Sequence, residues 1–234
     1  LGVYRAPDWR NHSIPDAWQR LYPLLLGTIY YKTDQLIDRF LASMSTTGQL
    51  SLLYLARQIY IAGNTILGKA FTVPIFPLLA QQASKKNWSS FRKIITERTF
   101  WLFGITSFVF LIMIFAGKPL LSMLFVYGKF DISNITPLQW LLVALVGLWI
   151  GGAVGQILST GFYAKTDTKT PTKIGMFGYT LGIGLKIAGF YIWGVIGIAA
   201  GTSIYFVLNA ILMNVFLSCH IKQAHVTVPE GDSP

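Results

Sequence analysis

Long apolar runs separated by short polar breaks dominate this chain. Six stretches, at 21–43, 50–80, 100–125, 138–163, 174–193 and 196–219, each reach the roughly 20 mostly apolar residues that cross a bilayer as a helix. The apolar positions run continuously instead of alternating every second residue, so helices are predicted and a barrel of strands is excluded. The expected fold is all-α, a polytopic transmembrane bundle of about six spans. The second stretch is long enough to tilt or bend, with Pro74 and Pro77 as causes.

Polar segments frame this single unit. Residues 1–20, with Pro7 and Pro15 among scattered charges, read as a cytoplasmic linker or a surface helix; 21–222 read as the six-span lobe; 223–234 read as a cytoplasmic polar tail. The chain opens on Leu1 without the ordered regions of a secretory leader, and it is expected to be a piece of a longer protein.

Composition agrees with the pattern. With 53% hydrophobic and only 12% charged residues, the chain falls far below the quarter charged that is usual in soluble domains. The net charge of +10 suggests nucleic acid until the cations are placed. They are sorted by connection. Arg5, Arg10 and Arg20 precede the first span; Lys85, Lys86, Arg92, Lys93 and Arg98 fill the second connection; Lys165, Lys169 and Lys173 fill the fourth; Lys222 follows the sixth span. The odd connections hold few, so both chain ends and the even connections are expected in the cytoplasm, and nucleic acid is excluded as a partner. In the second connection Trp88, Phe91, Ile94 and Ile95 interleave with the cations. That segment reads equally as a face for anionic membrane lipids or as a hydrated loop.

Little catalytic or metal chemistry is visible. Cys219 stands alone, and His12, His220 and His225 lie outside the apolar stretches without zinc spacing. No nucleophile beside a base and no phosphate-cradling glycine loop is present, so an enzyme is not expected. Glycines recur every fourth residue at Gly147, Gly151 and Gly155, at Gly178 and Gly182, and at Gly197 and Gly201. They mark either close helix packing or a surface on which helices slide.

Charges inside the apolar stretches carry the strongest functional signal. Lys32, Asp34, Asp38 and Arg39 crowd the first, Arg57 and Lys69 lie in the second, and Lys186 interrupts the fifth. Each costs roughly 2.5 to 3.5 kcal/mol at the centre of a bilayer, so a shared polar cavity is expected. Asp34 and Asp38 lie one helical turn apart on one face, and Lys32 and Arg39 share another. Ion pairing between helices, for example Asp38 with Arg57, would make them packing devices. Transport would use the same pairs by breaking them when an anionic ligand binds. For Lys69 and Lys186, snorkelling and cavity lining are equally open.

Several of these residues fall in ordered motifs. Pro23 to Gly27, Asp38 followed by Ala42 and Ser43, Gly48, the run Tyr54, Leu55, Ala56 and Arg57, and the segment from Gly68 to Phe76 and Pro77 form one series. Tyr127, Gly128, Lys129 and Phe130 form a turn motif, and the segment from Gly161 through Asp167 to Pro171 a loop motif. Over residues 20–222 this series resembles the second half of the MurJ (MviN) lipid II flippases, in the multidrug/oligosaccharidyl-lipid/polysaccharide exporter superfamily.

The resemblance implies a two-lobed flippase of about fourteen helices, of which this chain is the second six-helix lobe. It implies an undecaprenyl-diphosphate-linked lipid as substrate, the missing first lobe as partner, and the bacterial cytoplasmic (inner) membrane as location. Arg57 matches an arginine of that family's cationic cavity, and Asp38 matches a commonly acidic position. Lys32 and Asp34 stand where the family more often has uncharged amides. The candidate substrate-binding residues are therefore Arg57, Asp38, Arg39, Lys32 and Asp34. No cofactor is expected; a coupling ion of unknown identity has Asp34 or Asp38 as hypothetical sites. The alternatives are a relative that moves other polyprenyl-linked oligosaccharides or drugs, and an inactive membrane scaffold.

Overall fold

A computed structural model describes residues 13–46, 48–125 and 130–226. Most of the segment at 1–20, the end of the tail at 223–234 and the turn motif at Tyr127, Gly128 and Lys129 lie outside the described residues. The described residues make six helical passes. They are α1 (Ser13–Ser43); α2 (Gln49–Leu67), which continues through a π turn at Gly68–Thr72 into α3 (Val73–Ser84); α4 (Trp88–Phe125); α5 (Ile135–Ala144) bent into α6 (Val146–Ala164); α7 (Lys169–Trp193); and α8 (Val195–Val226). There is no strand among the described residues, and the fold is the expected all-α bundle.

Three of the passes are long and apolar enough to cross a membrane: Gln49–Ser84, Trp88–Phe125 and Val195–Ile221. The bent pair Ile132–Ala144 and Val146–Ala164 makes a fourth. Helices α1 and α7 fall short by composition, and they are the two that carry Asp34, Asp38 and Lys186. Along α4, Phe100, Phe108, Phe115 and Met123 point outward, as helices do when lipid is their solvent.

Two features of the passes differ from a plain reading of the apolar runs. The bend expected at Pro74 and Pro77 is preceded by the π turn, in which the Val73 N–H reaches back to the Gly68 carbonyl. The run at 138–163, read as one continuous span, breaks by 42° at Leu145. Side chains from other helices hold that break open. Tyr60 donates its hydroxyl to the Leu142 carbonyl at 2.8 Å, and Ser203 of α8 accepts from the Gly147 N–H at 3.0 Å while donating to the Ala144 carbonyl. Backbone groups freed by the break are thus satisfied without water.

Packing divides the apolar interior into two cores. One gathers Tyr60, Leu142, Leu145, Trp149 and Ile198; the other gathers Leu79, Phe91, Phe162 and Leu217. Helix α8 runs between α6 and α7, and glycine permits the approach: Gly189 of α7 and Gly197 of α8 meet backbone to backbone, leaving no room for a Cβ on either.

The loop motif shows why its residues stand where they do. Thr166 ends α6 with φ 61°, and the Asp167 carboxylate accepts the N–H groups of Lys169 and Thr170 at 3.0 Å, opening α7. Lys165 lies 5.0 Å above the Trp88 ring, so the second and fourth connections meet at one end of the bundle. Burial there pushes the Lys165 ammonium below its ordinary pKa, and Asp167 opposes the shift.

Close α7–α8 packing gives a direct prediction. Gly197→Ala should destabilise the chain by about 1 to 3 kcal/mol, read as a lower thermal unfolding temperature in detergent. Gly184→Ala, which meets open space, should leave that temperature unchanged or slightly raised. Equal melting of both variants would contradict the packing described.

Candidate functional site

Helix geometry brings four charged side chains together from three passes. Asp34 and Asp38 project from one face of α1 toward α2 and α7, because four residues make about one turn. Arg57 of α2 donates from Nη1 to Asp38 Oδ2 and from Nη2 to Asp34 Oδ2. Lys186 of α7 donates from Nζ to Asp38 Oδ1 at 2.8 Å and to Asp34 Oδ1. Each carboxylate therefore bridges a guanidinium through one oxygen and an ammonium through the other. The ring closes with no formal net charge.

Burial makes that closure necessary. The Lys186 side chain is fully buried, the two carboxylates are 7% exposed and Arg57 is 14% exposed. The ammonium also lies 5.4 Å from the centre of the Tyr205 ring, where the aromatic face adds attraction. Beside the quartet, α1 and α7 are joined by Tyr30 with Thr180 and by Thr33 with Tyr179, each at 2.8 Å. The α1–α7 seam is thus polar along much of its length, unlike the close glycine contact between α7 and α8.

Of the five residues named as substrate-binding candidates, the structure brings Asp34, Asp38 and Arg57 together. Lys32 and Arg39 are exposed on other faces of α1. Arg39 borders a small cavity of about 40 Å³ with Asp38, Tyr54, Arg57 and Gln58, which has room for water and none for a headgroup. Lys186, left without a role in the sequence, completes the site. Its signal was present only as an isolated lysine in an apolar run, and its partners lie about 150 residues away. Both carboxylates suggested for a coupling ion are engaged by Arg57 and Lys186.

A larger groove of about 690 Å³ lies farther along α2, bounded by the π turn, α6 and α8, and Ile61 borders both hollows. Lys69 is exposed on the π turn and lines this groove.

The described residues thus form an all-helical membrane bundle in which a buried, self-neutralised ion cluster joins three of the passes. Residues 2–230 match the family model "Lipid II flippase MurJ", and the chain belongs to that family. It is 26% identical to a probable lipid II flippase MurJ of Vibrio cholerae, with 91% of this chain and 41% of that protein covered. It is also 26% identical to the probable lipid II flippase MurJ of Haemophilus influenzae, covering 88% and 41%. A solved lipid II flippase MurJ in its inward closed conformation shares the fold, with a TM-score of 0.70 and 16% identity over 96% of this chain and 48% of that one. The chain spans about two fifths of the length of the curated relatives it matches.

Charge balance in the quartet can be tested by breaking it. Lys186→Met leaves two buried carboxylates facing one guanidinium and should cost about 3 to 5 kcal/mol of stability. Adding Asp34→Asn restores neutrality and should recover most of the loss in a thermal unfolding measurement. Additive losses from the two substitutions would show that the ring is not a unit.

Proposed function

We propose that this chain forms the second lobe of a flippase that carries lipid II, an undecaprenyl diphosphate bearing a sugar-peptide headgroup, outward across the bacterial cytoplasmic membrane. Both chain ends face the cytoplasm, as the sorting of Lys and Arg among the connections suggests. The lobe works with a first lobe of the same transporter, and the headgroup passes between them by alternating access while the lipid tail stays in the bilayer.

One observation carries this reading. Arg57 presents its guanidinium fork, inside a membrane bundle, to two carboxylates on a neighbouring helix. Phosphoryl oxygens are the acceptors best able to replace carboxylates on such a fork, because they too accept two parallel N–H bonds. In the cycle, the diphosphate takes Nη1 and Nη2 from Asp38 and Asp34. The carboxylates stay with Lys186, and Arg39, which borders the same small cavity, compensates for the departing cation. Release of the headgroup returns Arg57 to the acids and resets the lobe.

No bond is made or broken, so the protein acts as a carrier and not as an enzyme, and the cycle uses no cofactor. Moving one negative charge outward gains about 2.3 kcal/mol per 100 mV of inside-negative potential, which is an adequate drive.

The test joins this chain to a separately supplied first lobe in proteoliposomes containing labelled lipid II. The wild-type pair should move the label to the far leaflet chemically unaltered. Arg57→Ala should slow the movement by about tenfold or more, with Arg57→Lys intermediate. Wild-type rates for Arg57→Ala, or a chemically changed label, would contradict the proposal.

A further inference from the structure

Arg57 is already satisfied, so it leaves open which cation a headgroup meets first. The groove along α2 holds one. Among the described residues lining its 690 Å³, Lys69 is the only charged side chain, and no acidic residue accompanies it. Lys69 makes no ion pair among the described residues. The π turn sets its position: the wide i to i−5 bond from Val73 to Gly68 re-aims the backbone where the lysine leaves it.

Unused hydrogen-bonding capacity lies beside this cation. Asn64, 6% exposed, donates its Nδ2 to the Leu148 carbonyl at 3.1 Å, but its Oδ1 has no partner. The Thr72 hydroxyl oxygen is likewise buried and unpartnered, and both residues line the groove. An orphaned buried acceptor is destabilising, so such groups call for a ligand with hydrogens to donate. Gly151, Gly152 and Gly155 of α6 also line the groove, and their lack of side chains adds to its room.

One cation, unpaired acceptors and no opposing acid select an anion that also carries hydroxyl or amide hydrogens. We propose that this groove is a glycosyl-phosphate subsite, in which Lys69 takes a phosphoryl oxygen while Asn64 and Thr72 accept hydrogen bonds from the adjoining sugar. The subsite rests on the flippase reading and deepens it: the headgroup docks at Lys69 before it reaches Arg57.

The experiment measures binding to this chain in phosphatidylcholine nanodiscs by native mass spectrometry. Two probes are used: undecaprenyl diphosphate, and the same diphosphate carrying an N-acetylhexosamine disaccharide. Circular dichroism checks the helix content of every variant. Lys69→Met should weaken both probes by about tenfold or more, and Lys69→Arg should restore them. Thr72→Val, which keeps the shape and removes the hydroxyl, should weaken only the glycosylated probe, by about threefold.

Binding of both probes to Lys69→Met within about twofold of wild type would overturn the subsite. If Arg57→Gln abolishes binding in the same series, the flippase reading stands without it. Equal competition by phosphatidylglycerol would reduce the groove to a general lipid-phosphate site and overturn the sugar assignment. Failure of the wild-type chain to bind either probe would overturn the subsite and the flippase reading together.

Discussion

Two carboxylates, a guanidinium and an ammonium, each able to exist in the bilayer interior only because the others are there, hold the first, second and fifth passes of this lobe together. Unpaired, four such charges would oppose insertion by about ten kcal/mol, comparable with the whole stability of a domain. Closed into a ring, they make α1 and α7 tolerable as membrane helices although neither is apolar enough by composition alone. The rest of the arrangement follows from this. Apolar and glycine contacts fix α7 against α8, while polar contacts join α1 to α7 and α2.

Much of this was legible in the sequence, for physical reasons that can be named. Apolar runs long enough to span a bilayer gave the passes, because lipid allows few other ways to satisfy a backbone. Asp34 and Asp38 could be placed on one face by helical period, and their neighbours Lys32 and Arg39 on another, which is where the structure has them. Pairing of Asp38 with Arg57 was one of two open uses for those charges. Lys186 could not be given a role, since its partners are set by the α1–α7 packing and no local pattern encodes that. The break at Leu145 was equally hidden: no proline marks it, and the groups that stabilise it, Tyr60 and Ser203, come from α2 and α8. No local pattern marks the π turn at Gly68–Thr72, and Pro74 and Pro77 just beyond it are by themselves a sufficient reason for a bend.

Helix α2 carries both halves of the proposed chemistry. At Arg57 it contributes to a neutral, closed cluster with room beside it only for water. Beyond Ile61, near Asn64, Lys69 and Thr72, it borders an open groove with an uncompensated cation. Such an ordering separates capture from commitment: a docked anion must move along one helix to exchange its counter-charge, and that exchange loosens the seam by which α1 is held. The chain belongs to the lipid II flippase MurJ family and spans about two fifths of the length of the relatives it matches, as the proposal of a single lobe requires.

The central claim is that the Asp38 and Lys186 side chains form a direct ion pair in the resting lobe and that Arg57 can be drawn from its carboxylates by a diphosphate. Solid-state NMR in bilayers can measure the dipolar coupling between the Asp38 carboxyl carbon and the nitrogens of Lys186 and Arg57. The account predicts strong coupling to both nitrogens in the empty chain, with loss of the Arg57 coupling and retention of the Lys186 coupling once undecaprenyl diphosphate is added. An empty chain in which the Asp38 carbon couples to neither nitrogen, or an Arg57 coupling indifferent to saturating diphosphate, would contradict it.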